Sequence, residues 1–250
     1  DAHSTGDDLR GTPTTCRDRR DTASYWVPTL MVDGAVVDPL VLRAYYRARP
    51  GVDVRMVTAP PLGLATIAGD PARTAEPTAP GPPVEAPDPL AGAPSPPTGP
   101  AHGHDHDHEP APLPAGVDPD DPTAQAGWGC GLTPRTLQVL PPDTCSDPSP
   151  LTLRLRFPDC WDGENLDSPD HRSHVARSVD GECPSTHPVL MAELQVSVQW
   201  PVTGAEGRWV TLASGPAAGA HGDFLNGWEP RALEDHIALC IHHRVNCTIG

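Results

Sequence analysis

Carboxylates, histidines, an aromatic and a cysteine crowd into one stretch, Asp159 to His174, more densely than anywhere else in the chain. Asp162, Glu164, Asp167 and Asp170 lie within nine residues of one another, and His171 and His174 follow. Crowded carboxylates push one another's pKa values apart, so that one can serve as acid while another serves as base. Asp162, Asp170, His171 and His174 are therefore candidate acid/base groups. A second cluster, His221-Gly222-Asp223-Phe224-Leu225-Asn226-Gly227-Trp228, adds His221 and Asp223 to that catalytic set. Trp161 and Trp228 offer flat faces for the apolar side of a sugar ring, while Asn165, Asp167 and Asn226 offer partners for hydroxyls. Asn226 is equally placed to cap the helix that follows. Asp159 and Ser168 read as turn formers, and His187, in Cys183-Pro184-Ser185-Thr186-His187-Pro188, reads as structural.

Such groups work only if rigid elements hold them. Leu151 to Phe157 alternates apolar and polar residues and leads directly into the first cluster, so it is expected to be a half-buried strand. Glu193 to Trp200 has the same period, and Trp209 to Ser214 is a third strand in this half. Earlier, Thr29 to Val37 with its Asp33-Gly34 turn predicts a hairpin. Arg43 to Arg47, Val54 to Val57 and Gly63 to Ala68 are further short strands. From Pro230, Leu233, Ile237, Cys240, Ile241 and Val245 recur at helical spacing, with acidic residues early and His242, His243 and Arg244 late. The expected fold is mainly β, an antiparallel sandwich or jelly-roll-like core with long loops and one C-terminal helix.

Residues 71–126 hold sixteen of the 34 prolines and too little apolar surface to offset chain entropy. They read as a disordered insertion between two parts of one core domain, 1–70 and 127–250. Its His102 to Glu109 tract is a possible divalent-metal ligand set, though no cofactor is required. Net charge is −16 and every basic residue is arginine. That argues against nucleic acid and anionic membranes, which need a basic patch, and with the Ala/Pro-rich usage it fits a high-GC bacterium. Seven cysteines without paired CxxC spacing point to disulfides and an oxidising compartment, with Cys160 to Cys183 clamping the first cluster and one thiol left over. No apolar run is long enough to span a membrane. The chain starts at Asp1 with no apolar leader, which is expected of a secreted protein whose signal was removed or whose front is missing. Serine-hydrolase, zincin, P-loop and dinucleotide signatures are absent, and the sequon Asn246-Cys247-Thr248 carries little weight.

Taken together, Tyr25-Trp26-Val27-Pro28-Thr29-Leu30, Phe157 to Gly163, Asn165 to His171, Cys183-Pro184 with His187-Pro188, and His221 to Phe224 with Asn226-Gly227-Trp228 resemble the DUF1996 family of secreted fungal and actinobacterial proteins. The resemblance implies secretion and one domain, often joined to carbohydrate-binding or cell-wall modules. It also implies a histidine upstream of Asp1, and a shorter segment where this chain carries 71–126. Two functions follow as expectations. The first is a monomeric carbohydrate-active hydrolase or lyase acting on cell-wall or biomass polysaccharide through the two clusters. The second is a non-catalytic module in which His171, His174, His187 and His221 hold a metal or staple the loops.

Overall fold

The computed structural model describes residues 5–74, 125–145, 149–205 and 208–245. Its fourteen strands form four antiparallel sheets. The largest has the order β4 (Val41–Arg47), β11 (Glu193–Trp200), β7 (Leu151–Arg156), β6 (Ala126–Cys130). Facing it is a three-stranded sheet of order β1 (Ser24–Trp26), β14 (His221–Leu225), β5 (Ala65–Gly69). A third has the order β13 (Gly215–Pro216), β12 (Val210–Leu212), β2 (Leu30–Val32), β3 (Ala35–Val37), with the expected turn at Asp33-Gly34. The fourth joins β10 (Val189–Leu190), β8 (Cys160–Trp161) and β9 (Val175–Ala176). Strands β4 and β5, before residue 75, pair with β11 and β14, after residue 124.

Period-two alternation sends Leu151, Leu153, Leu155, Leu194, Val196, Val198 and Trp200 to one face of the large sheet, where all are buried. Phe224 of β14 meets that layer through Phe157, ring centroids 5.9 Å apart. Gly222 beside it has no alternative: a Cβ there would lie 2.4 Å from Leu155 Cδ1 and 2.7 Å from the Trp26 carbonyl. The result is a sandwich-like core.

Three expectations need correction. β7 and β11 are buried on both faces rather than one, because the 131–138 loop and the C-terminal helix cover the outer face. Gly127 and Gly129 let that loop approach, since Cβ atoms there would meet Leu137 and Pro134. Val54 to Met56 is a 3-10 turn capped by Asp53, whose side chain accepts from the Arg55 N–H, and is not a strand. The front is also more than a solvated run: Asp21 and Thr22 are buried, and Gly6–Leu9 forms a short helix, α1, with a Thr5/Asp8 capping box. At the other end α2 (Pro230–His236), capped by Glu229, continues as a π-helical turn to His242. Leu233, Ile237 and Ile241 face the core, whereas Val245 is exposed.

Asp21 anchors a buried polar chain. Tyr25 Oη donates to its Oδ2 at 3.0 Å and accepts from Trp228 Nε1 at 3.2 Å. Burial pushes the Asp21 carboxyl up to about 6 against hydrogen bonds from Ala23 and Tyr25. The folded state therefore holds the proton more tightly than the unfolded chain, whose value is near 3.8, and stability falls as pH rises from about 4 through 6. The expected loss is about 2–3 kcal/mol. Thermal melts at pH 4.5 and 7.5 should show Asp21→Asn with a clearly smaller pH dependence than wild type.

Candidate functional site

Alternation along β14 puts Gly222 and Phe224 inward, and so sends His221 and Asp223 to the outer face of the three-stranded sheet. Trp26 on β1 is directly opposite Asp223 in register. Its indole is 50% exposed and lies 6.0 Å from the His221 ring, tilted by 49°. On the far side, the edge of β5 is closed by the acidic loop: Ala65 N–H donates to the Leu166 carbonyl at 2.8 Å, and Ile67 N–H to that of His171 at 3.2 Å. Arg172 donates to the Gly69 carbonyl. This stitching brings His171 and Arg172 to the sheet face that carries His221 and Asp223.

Hydrogen bonds orient both imidazoles. Nδ1 of His221 lies 2.7 Å from the Gly219 carbonyl, which can only accept, so Nδ1 carries a proton. Nδ1 of His171 lies 2.7 Å from Asp167 Oδ1 and donates to it. His171 holds a left-handed backbone, φ 55°, a conformation a non-glycine residue rarely adopts. Burial raises the half-buried Asp223 carboxyl, and the nearby His221, His171 and Arg172 only partly offset it. Asp223 is thus a carboxyl biased toward its protonated form, near the buried His221 imidazole and the exposed one of His171.

The other acidic candidates serve the loop itself. Asp162 Oδ1 accepts from the Glu164 and Asn165 N–H groups and Oδ2 from Asn165 Nδ2, an Asx turn. Burial pushes its pKa up, but those bonds outweigh burial and leave it below the usual range. Asp170 Oδ1 accepts from Ser173 Oγ, Ser173 N–H, Ser168 Oγ and Arg172 N–H, which holds it firmly ionised. His174 is buried; its Nδ1 lies 2.8 Å from Ser168 Oγ, and burial lowers its pKa. These three residues shape the loop: Asp162 and Asp170 hold its turns, and His174 Nε2 is buried without a partner. Trp161 is half-buried, and its indole donates to the Asn165 carbonyl at 2.6 Å.

Two further expectations fail on burial. Trp228 is 2% exposed, inside the core, so it presents no face to a sugar. Asn226 is equally enclosed, its Nδ2 donating to the Pro60 and Pro61 carbonyls while Oδ1 accepts from Trp228 N–H. It braces the turn, and Glu229 caps the helix instead. Trp26 supplies the exposed indole that Trp228 does not, and Arg172 supplies the cation. Both sat in stretches already singled out, Trp26 at the position that alternates with core Tyr25, and Arg172 between two chosen histidines.

The four-histidine metal reading is not assembled. His174 is bonded to Ser168 and His187 Nε2 lies 3.1 Å from the Ser173 carbonyl. Among the described residues no group of three His, Cys, Asp or Glu is gathered closely enough to hold a metal ion. The His102 to Glu109 tract and the sequon lie outside the described residues.

The Cys160–Cys183 disulfide ties down the base of the acidic loop, as expected, and Cys130–Cys145 is a second bridge. Cys16 is a free thiol. With a sequence separation of 23, Cys160–Cys183 is worth about 3.4 kcal/mol in the chain-entropy model. The Cys160→Ala/Cys183→Ala double variant should lose roughly that amount in urea unfolding and should expose 162–174 to proteolysis first.

The molecule is therefore β-rich and disulfide-bonded, with His221 buried and Asp223 half-buried on one face of the three-stranded sheet. The chain belongs to the DUF1996 family, a domain of unknown function, whose model matches residues 1–228. No curated protein and no solved structure matches it.

Proposed function

We propose that this is a secreted, carbohydrate-active protein that cleaves an acidic polysaccharide by β-elimination. The observation that carries the reading is the raised carboxyl of Asp223, near His221, His171 and Arg172 with Trp26 alongside. Glycoside hydrolysis ordinarily needs two carboxyls across the scissile bond, and Asp162 and Asp170 are ionised and committed to turns. A lyase needs a different set. One imidazole Nε2 removes the C5 proton of a uronate residue, the electron pair forms the C4–C5 double bond, and the C4–O bond breaks. Protonated Asp223 then gives its proton to the departing glycosidic oxygen. Arg172 neutralises the uronate carboxylate, which acidifies the C5 proton, and Trp26 stacks on a neighbouring ring. Two disulfides among the described residues support an extracellular setting.

The test is to incubate the full chain with pectate, alginate and a neutral glucan, following the ultraviolet absorbance of the unsaturated product. Product from a polyuronate, absent with the glucan, is expected. Binding without product would leave a non-catalytic module; neither binding nor product would remove the carbohydrate reading.

A further inference from the structure

On the opposite side of the molecule, a cavity of about 700 Å³ lies between the outer face of β4 and β11 and the C-terminal helix. Arg43, Arg47 and Arg244 line it with Tyr45, Gln195 and Ser197. Arg154 and Arg156 are directly opposite Ser197 and Gln195 in the β7–β11 register. Five guanidiniums thus gather in a chain whose net charge is −16.

Protein partners satisfy this group only in part. Arg47 Nε donates to Glu193 Oε1 and Arg43 Nη1 to Gln199 Oε1, each at 2.8 Å, leaving their remaining donors. Glu193 also serves Arg49 and Arg177. Gln195 Oε1, Ser197 Oγ, Arg154 Nε and Arg156 Nε are buried without a hydrogen-bond partner, although Gln195 and Ser197 are 8% and 3% exposed. Burial lowers the pKa of Arg154 and Arg156, and the positive field of Arg47 adds to it. Buried polar atoms are normally paired, and uncompensated guanidiniums are costly. An oxyanion entering the cavity would offset the charge of Arg43, Arg47 and Arg244, which line it.

We propose that this cavity is a binding site for an anionic saccharide, held through a carboxylate or phosphate group. The volume falls in the range of small-molecule sites. Tyr45, 48% exposed, offers a ring face for a sugar, and the arginine forks suit planar or tetrahedral oxyanions. The site is separate from the Asp223 face and needs no chemistry there.

Calorimetric titration of the full chain with trigalacturonate, inorganic phosphate and neutral maltotriose tests this. Trigalacturonate is expected to bind in a salt-dependent way and maltotriose not to bind. Displacement by phosphate identifies a general oxyanion site, whereas its failure identifies a carboxylate-selective one. Arg43→Gln and Arg244→Gln should each weaken the binding about ten- to a hundredfold while leaving any elimination activity unchanged. A binding component lost in Asp223→Asn but kept in both arginine variants belongs to the other face. Equal binding of maltotriose, or affinity unaltered in both arginine variants, overturns the proposal.

Discussion

Glu193→Gln is expected to lower the unfolding free energy by about 3–5 kcal/mol, among the largest effects of any single substitution here. Glu193 is 1% exposed and faces three guanidiniums: Arg47 at 2.8 Å, Arg177 at 3.6 Å and Arg49 at 3.7 Å. Arg177 is itself 7% exposed at its side chain, and burial pushes it down to about 10. Taking away the carboxylate charge leaves Asp159, 3.6 Å from Arg49, as the remaining buried carboxylate facing Arg49 and Arg177. Arg47 is more exposed and contributes less. Urea unfolding monitored by tryptophan fluorescence measures the change, and a loss under about 1 kcal/mol would show that the arginines are screened by water instead.

Asp223→Asn should reduce the elimination rate about 10²- to 10⁴-fold, with KM little altered. Asparagine keeps the shape but has no acidic proton for the departing oxygen. The sign of the pH dependence follows from the raised carboxyl. Activity that needs protonated Asp223 falls as pH rises through its folded pKa, so the alkaline limb of the wild-type profile should disappear from the residual activity of the variant. Stability should hold or rise, because a half-buried carboxyl that resists ionisation is replaced by a neutral group. His171→Ala and Arg172→Gln should also slow the reaction, whereas Asp170→Asn should act mainly by loosening the 168–173 turn.

Much of the fold was legible because period-two alternation is a local signal. The Thr29 to Val37 hairpin, the Arg43 to Arg47 and Glu193 to Trp200 strands and the Cys160–Cys183 bridge all follow from residues near one another in sequence. The burial of Gln195, Ser197 and Gln199 was not legible, since polar residues in a strand normally mark a solvated face and only the covering segments reverse that. The candidate site divides along the same line. Asp162 and Asp170 drew attention by type, but each holds a turn through donors within three residues of it. Trp26 and Arg172 matter through pairings with Asp223 and Gly69 that are nearly 200 and about 100 positions distant. Net charge misled in the same way: arginines scattered from 43 to 244 become a patch only when β4, β7 and β11 align.

The central claim is that a uronate lies across His171, His221 and Asp223. It is tested most directly by heteronuclear NMR of the imidazole groups during titration with trigalacturonate. The signals of His171 and His221 should shift together, with Asp223→Asn weakening the response, while His187 and His243 stay in place. Shifts confined to His187 or His243, or none at His171 and His221 with the ligand bound, would contradict it.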